Sequence, residues 1–182
     1  MIWPFNHFSQ SRTPSRRTIE TIYGTIVAQA RQPVFYSDWG VPDTVNGRFE
    51  MIVLHLWMVL RRTKENQALA PYAQALFDYF CSDLDANLRE MGVGDLAVPK
   101  RMQKFGEAFY GRAAAYDRAL EEGHEALSKA LCKNILNGFG LENGRKLADY
   151  AEHGNAGLGA MSDAQLLKGE LWFPTPTATP AE

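Results

Sequence analysis

The twelve residues Phe49–Leu60, FEMIVLHLWMVL, constrain this chain more than any other stretch, because ten of them are apolar. A helix that crosses a bilayer needs ~20 consecutive apolar residues, so the run is too short to span one. Arg61 and Arg62 close it on one side, and Arg48 and Glu50 stand at the other. A helix that is apolar on most faces has to be buried among other elements. The rest of the chain must therefore supply a shell around it. The chain has 182 residues, 46% of them hydrophobic and 22% charged. That is the size and balance of one globular domain with a core of its own, needing no disulfide or metal staple.

The flanking sequence reads as that shell. Ile19, Ile22, Tyr23, Ile26, Val27 and Ala30 recur at helical spacing, which predicts an amphipathic helix over Arg16–Arg31 that Pro33 stops. Val34–Tyr36 is ambiguous between a strand and a helical turn. Asp43 or Thr44 is placed to cap the apolar helix. Thr63–Gln67 reads as a loop, and Pro71 suits the first turn of a helix ending near Gly92. A further helix starts between Asp95 and Pro99, and Gly123 interrupts it. Leu127, Leu131, Ile135 and Phe139 predict the next helix, closed by Gly138 and Gly140. Leu141–Tyr150 reads as a shorter one, and Gly154–Gly159 as a flexible loop. Ser162 and Gln165 form a capping-box pattern ahead of a last short helix. No period-2 strand series and no repeat is visible. The expected fold is all-α, a single packing of about six or seven helices over 16–171. Residues 1–15 read as a flexible lead and 172–182 as a Pro/Thr-rich tail, extended and disordered.

Constellations that carry chemistry are scarce. The sequence holds no phosphate loop, no HExxH and no GxSxG, and the expectation is no catalytic residue and no metal. Cys81 and Cys132 lie in apolar helical patterns without metal-ligand spacing and read as reduced, buried thiols. Glu121 and His124 make one Glu-x-x-His, whereas a di-iron bundle needs two plus further carboxylates, so a solvated helix end is the better reading. His55, inside the apolar run, is either a ligand or proton-transfer group or a buried neutral imidazole bonded to a carbonyl or side chain. One His with no partner motif favours the second. Lys100, Arg101 and Lys104 cluster where a helix begins, opposing its dipole, and Arg112 can extend the patch two turns on. Net charge is −2, which excludes a nucleic-acid coat by overall balance but leaves room for a local basic patch.

Three stretches together resemble one family: Gln29-Ala-Arg-Gln-Pro-Val-Phe-Tyr36, the run from Val41-Pro-Asp-Thr through Gly47-Arg-Phe to His55, and Val98-Pro-Lys-Arg-Met-Gln-Lys-Phe-Gly-Glu-Ala-Phe-Tyr-Gly-Arg112. In order, spacing and content they are similar to the ubiquinol–cytochrome c chaperones, assembly factors of respiratory complex III, over about Tyr23 to Leu141. The resemblance implies a non-enzymatic chaperone for newly made cytochrome b, without a cofactor. It also implies a small partner protein and nearness to the ribosome, as in mitochondria. With no long presequence or extra N-terminal domain in view, the chain resembles the compact bacterial type. That places it at the cytoplasmic face of the inner membrane, in peripheral contact with it, or in the mitochondrial matrix if eukaryotic.

For such a role Asp78, Asp83 and Asp85 offer an acidic face to the Lys- and Arg-rich cytoplasmic segments of a membrane client. Lys100, Arg101, Lys104 and Arg112 suit lipid headgroups or RNA phosphates. The competing expectation is an all-helical pocket for an apolar or haem-like molecule, lined by Met51, His55, Trp57 and Met58. In it His55 is the helix-core candidate for an axial ligand.

Overall fold

The computed structural model describes residues 14–177, and among them all regular structure is helical. Six helices have twelve residues or more: α1 (Arg16–Ala30), α3 (Val45–Thr63), α4 (Ala70–Glu90), α5 (Val98–Glu122), α6 (His124–Ile135) and α7 (Leu141–Ala160). Two are single turns, α2 (Pro33–Ser37) and α8 (Asp163–Leu167), and a 3-10 turn at Gln67–Leu69 leads into α4. The ambiguous stretch at Val34–Tyr36 is thus helical, with Pro33 at its first position and Phe35 fully buried.

The apolar run forms α3, and it is the axis of the fold. Thr44, not Asp43, caps it: the Thr44 Oγ1 accepts from the Gly47 N–H at 3.1 Å. Asp43 instead pairs with Arg48 at 2.7 Å. Met51, Val53, Leu54, Leu56, Met58 and Val59 are completely buried, so the helix has no wet face over its middle turns. It packs against α1, α4, α5, α6 and α7. Arg62 ends the run as a clamp. It is 8% exposed, and its guanidinium donates to the Leu158 and Met161 carbonyls and to Asp163 at 2.7 Å. This fixes the end of α3 to the end of α7 and the start of α8, whose Ser162–Gln165 capping box is formed as expected.

Two expectations are corrected by α7. Gly154–Gly159 is no loop, and the helix does not stop near Tyr150; it continues to Ala160. Glycine-rich sequence weakens an isolated helix, but here the missing Cβ atoms are what let neighbours approach. A Cβ on Gly144 would lie 2.8 Å from the Ser128 carbonyl of α6, and one on Gly154 would lie 2.8 Å from the Met58 sulfur of α3. A Cβ on Gly157 would stand 2.1 Å from the Trp172 ring. Packing energy overrides the local preference. Phe139 is also displaced from the face expected of it. The helix α6 ends at Ile135, Asn137 and Gly138 turn left-handed, and Phe139 is 80% exposed.

The expected disorder of the tail fails for Trp172–Thr177, which pack against the body without regular secondary structure, with Pro174 and Pro176 buried. Residues 178–182, and most of the N-terminal lead, lie outside the described residues.

Replacing Gly144 by Val should lower stability by ~2 kcal/mol or more, because the backbone carbonyl it meets cannot move aside. Gly111→Ala, on an open face of α5, should raise stability by up to ~1 kcal/mol. Urea denaturation of the two variants checks both signs.

Candidate partner-binding site

His55 sits at the centre of the fold and is fully used there. Its Nδ1–H donates to the Met51 carbonyl at 2.7 Å, so its Nε2 accepts from the Tyr150 hydroxyl, also at 2.7 Å. The Tyr150 oxygen in turn accepts from the Gln29 amide at 3.0 Å. Phe35, Tyr150 and Phe173 surround the imidazole edge-to-face, and burial pushes its pKa down to about 4. With both nitrogens bonded, His55 has no lone pair to give a haem iron, which removes the axial ligand of the apolar-pocket reading. Its role is to join α3 to α7 and, through Gln29, to α1.

Arg112 is separated from the patch it was grouped with. Its guanidinium grips Glu50 with two bonds of 2.5 Å each, and Glu50 is 2% exposed. Burial raises the Glu50 carboxyl and the guanidinium opposes that rise. Arg112 therefore neutralises the one carboxylate of α3. Lys100, Arg101 and Lys104 remain exposed near the α4–α5 turn, with no ion pair among the described residues. The acidic group also divides. Asp78 is exposed and accepts from Gln74 at 2.7 Å. Asp85 pairs with Arg89 at 2.6 Å. Asp83 turns toward α1, where it accepts from the Tyr23 hydroxyl at 2.8 Å and helps raise that phenol's pKa. Asp78 and Asp85, seven residues apart, share one face of α4, but Asp83 does not.

Gly123 breaks the Glu-x-x-His motif between α5 and α6. His124 faces Glu152 at 3.1 Å and Asp149 at 3.7 Å on α7 instead. These groups, His124 and Glu152 half-exposed and Asp149 exposed, tie the two helices together as an ion pair when the imidazole is charged.

An unfilled, mainly apolar surface lies between α4, α5 and the end of α3. A groove of ≈ 460 Å³ is lined there by Trp57, Leu60, Ala73, Phe77, Phe109, Tyr110 and Ala113. Phe77 contacts the Phe109 and Tyr110 rings at 5.1 and 5.5 Å. Tyr110 is 62% exposed at the rim. Polar groups bound the far end: Asp117 accepts from the Trp57 indole and from Lys64, each at 2.8 Å. The floor is aromatic and the edge polar, a composition common in protein-binding patches.

Residues 37–173 match the ubiquinol-cytochrome C chaperone family. The chain belongs to that family. The crystal structure of the Cbp3 homolog from Brucella abortus has the same fold, with a TM-score of 0.79 and 40% identity over 87% of this chain and 90% of that one. Ubiquinol-cytochrome c reductase complex assembly factor 1 of Mus musculus is 28% identical over 159 residues, 84% of this chain and 54% of that protein. The Xenopus laevis protein of the same description is 26% identical over 117 residues, 64% of this chain and 58% of that protein. The chain thus spans little more than half the length of these relatives.

Sequence reading missed the groove because Trp57, Phe77 and Phe109 carry the same apolar signal whether they face the core or an opening. One signal for the buried pair was available: Glu50 is a charge inside an apolar helix and demands a cation.

Arg112→Met should destabilise by ~2–4 kcal/mol at neutral pH by leaving the Glu50 carboxylate buried and alone. The loss should shrink as pH falls and Glu50 takes up a proton in the folded state, and Glu50→Gln added to Arg112→Met should recover part of it. His55 gives the opposite slope. Between pH 6.5 and about 4 the unfolded chain protonates this imidazole and the folded one does not. Its contribution to stability should therefore fall by ~1.4 kcal/mol per pH unit on acidification. Urea denaturation against pH should show that slope in the parent and not in His55→Gln.

Proposed function

We propose that this chain serves the assembly of respiratory complex III as a non-enzymatic chaperone that holds newly made cytochrome b before it joins its partners. The observation that carries the reading is the open aromatic groove between α4 and α5, in a chain of the ubiquinol-cytochrome C chaperone family. An apolar helix face seats in such a groove through side chains three and four residues apart. Tyr110 on the rim gives the groove an anchor of the kind that dominates binding energy.

The charged surfaces add to this reading. Lys100, Arg101 and Lys104 point away from the core, free to meet anionic headgroups at the inner membrane or phosphates of ribosomal RNA. Asp78 faces solvent for basic client segments, and Asp85, half-buried and paired with Arg89, stands on the same face of α4. Among the described residues no helix is long and apolar enough to cross a membrane, which suits a peripheral position at the cytoplasmic face. The small partner protein and the ribosome rest on the family resemblance.

The test is complementation of a deletion strain, with assembled complex III read on native gels and newly made cytochrome b followed in pull-downs. Tyr110→Glu and Ala73→Glu should weaken client capture by about thirtyfold, a hot-spot loss of ~2 kcal/mol, while the helical signal is unchanged. Lys100→Glu with Arg101→Glu and Lys104→Glu should reduce membrane association and spare the groove. Normal complex III in the deletion strain, or full capture by both groove variants, would sink the proposal.

A further inference from the structure

The turn between α4 and α5, residues 91–97, has a fixed shape. Gly92 stands at φ +79° and its N–H donates to the Arg89 carbonyl at 2.9 Å, while the Val93 N–H donates to the Leu88 carbonyl at 3.0 Å. That pair of bonds is a Schellman close. On the far side the Gly94 carbonyl accepts from the Ala97 and Val98 N–H groups at 2.8 and 3.3 Å, so helical geometry begins ahead of α5 itself. Leu88 and Val98 are buried beneath the turn. Two other apolar side chains are held out of it. Leu96 is 99% exposed and Met91 57%.

Cations surround this tip. Lys100 and Lys104 follow Leu96 at intervals of four residues, along the side of α5 opposite to buried Val98, Phe109 and Tyr116. Arg101 stands on the flank. All three are exposed and without an ion pair among the described residues. Arg89 is engaged by Asp85 and Asp95 at 2.6 and 2.5 Å, which leaves Asp95 neutralised and Glu90 as the exposed carboxylate nearest the tip. A protruding aliphatic tip with a collar of cations asks for two things at once: an apolar layer to enter and fixed negative charge just above it. Single-stranded RNA offers the charge but is gripped through aromatic stacking, and residues 91–97 hold no aromatic ring. Protein interfaces are depleted in lysine. An anionic bilayer supplies both needs, with phosphates at the headgroup level and acyl chains beneath them.

We infer that the α4–α5 turn is a membrane anchor: Leu96 and Met91 enter the acyl boundary of an anionic bilayer while Lys100, Arg101 and Lys104 pair with headgroup phosphates. The inference rests on the peripheral membrane position proposed above, and it assigns the basic patch to lipid and not to RNA. Tyr110 lies ~20 Å along α5 from Leu96, so the aromatic groove stays open to a client while the tip is seated. The Schellman close keeps the two apolar side chains projecting before any membrane is met, so little order has to be gained on binding.

The experiment is flotation of the full chain with phosphatidylcholine vesicles, with and without phosphatidylglycerol. The parent should float with the anionic vesicles and not with phosphatidylcholine alone. Leu96→Ser with Met91→Ser keeps every charge and should lower the partition roughly tenfold or more. Lys100→Glu with Arg101→Glu and Lys104→Glu should lower it about a hundredfold or more. Circular dichroism confirms that each variant is folded. No flotation of the parent, or equal flotation by parent and tip variant, overturns the inference. Binding of the parent to labelled single-stranded RNA without vesicle binding assigns the patch to RNA and also overturns it. The vesicles hold no client, so a failure here leaves the client reading standing, and a failed complementation with intact flotation leaves the anchor standing.

Discussion

The constraint on which the structure depends is the burial of α3 together with the polar groups it takes inside. An imidazole and a carboxylate in an apolar interior each demand a partner, since an unpaired buried polar group costs several kcal/mol. His55 finds Tyr150 on α7, and Glu50 finds Arg112 on α5. Each pair fixes both the rotation and the height of a surrounding helix against the axis. Arg62, bonded to the turn after α7 and to Asp163 of α8, adds a third fixed point at the end of the same helix. Apolar packing alone tolerates sliding between helices; three directed polar contacts along one axis do not.

Close approach is the complement of that polar registration. The glycines of α7 face Ser128 and Cys132 of α6, Met58 of α3 and the Trp172 ring. They allow the helix to sit deep enough for Tyr150 to reach His55. The chain Met51–His55–Tyr150–Gln29–Pro174 then carries one continuous run of hydrogen bonds from the core helix to the segment Trp172–Thr177. That segment is therefore part of the molecule's interior order and not an appendage.

Surface charge on this fold does several jobs that composition cannot separate. Arg112 and Asp83 serve the interior, Asp85 and Arg89 pair on one helix, Asp78 accepts from Gln74, and Lys100, Arg101 and Lys104 stand exposed. The open aromatic groove lies beside the same α4–α5 hairpin.

The sequence by itself determined the helical class, the central position of Phe49–Leu60, the Ser162–Gln165 cap and the family, through periodicity, capping chemistry and local motif. These are properties of residues near one another in the chain, and local rules reach them. It also offered His55 as a buried imidazole bonded to a carbonyl or side chain, without naming the partner. Only the tertiary structure decided that Gly154–Gly159 is helix, that Arg112 belongs to Glu50 and not to the lysines, that Trp57 and Phe77 line an opening, and that Trp172–Thr177 are packed. Each of these turns on groups far apart in sequence, such as Glu50 and Arg112, which lie 62 residues apart. The free energy of such a contact is set by which surfaces meet, and a one-dimensional pattern of apolar and charged residues does not encode that meeting.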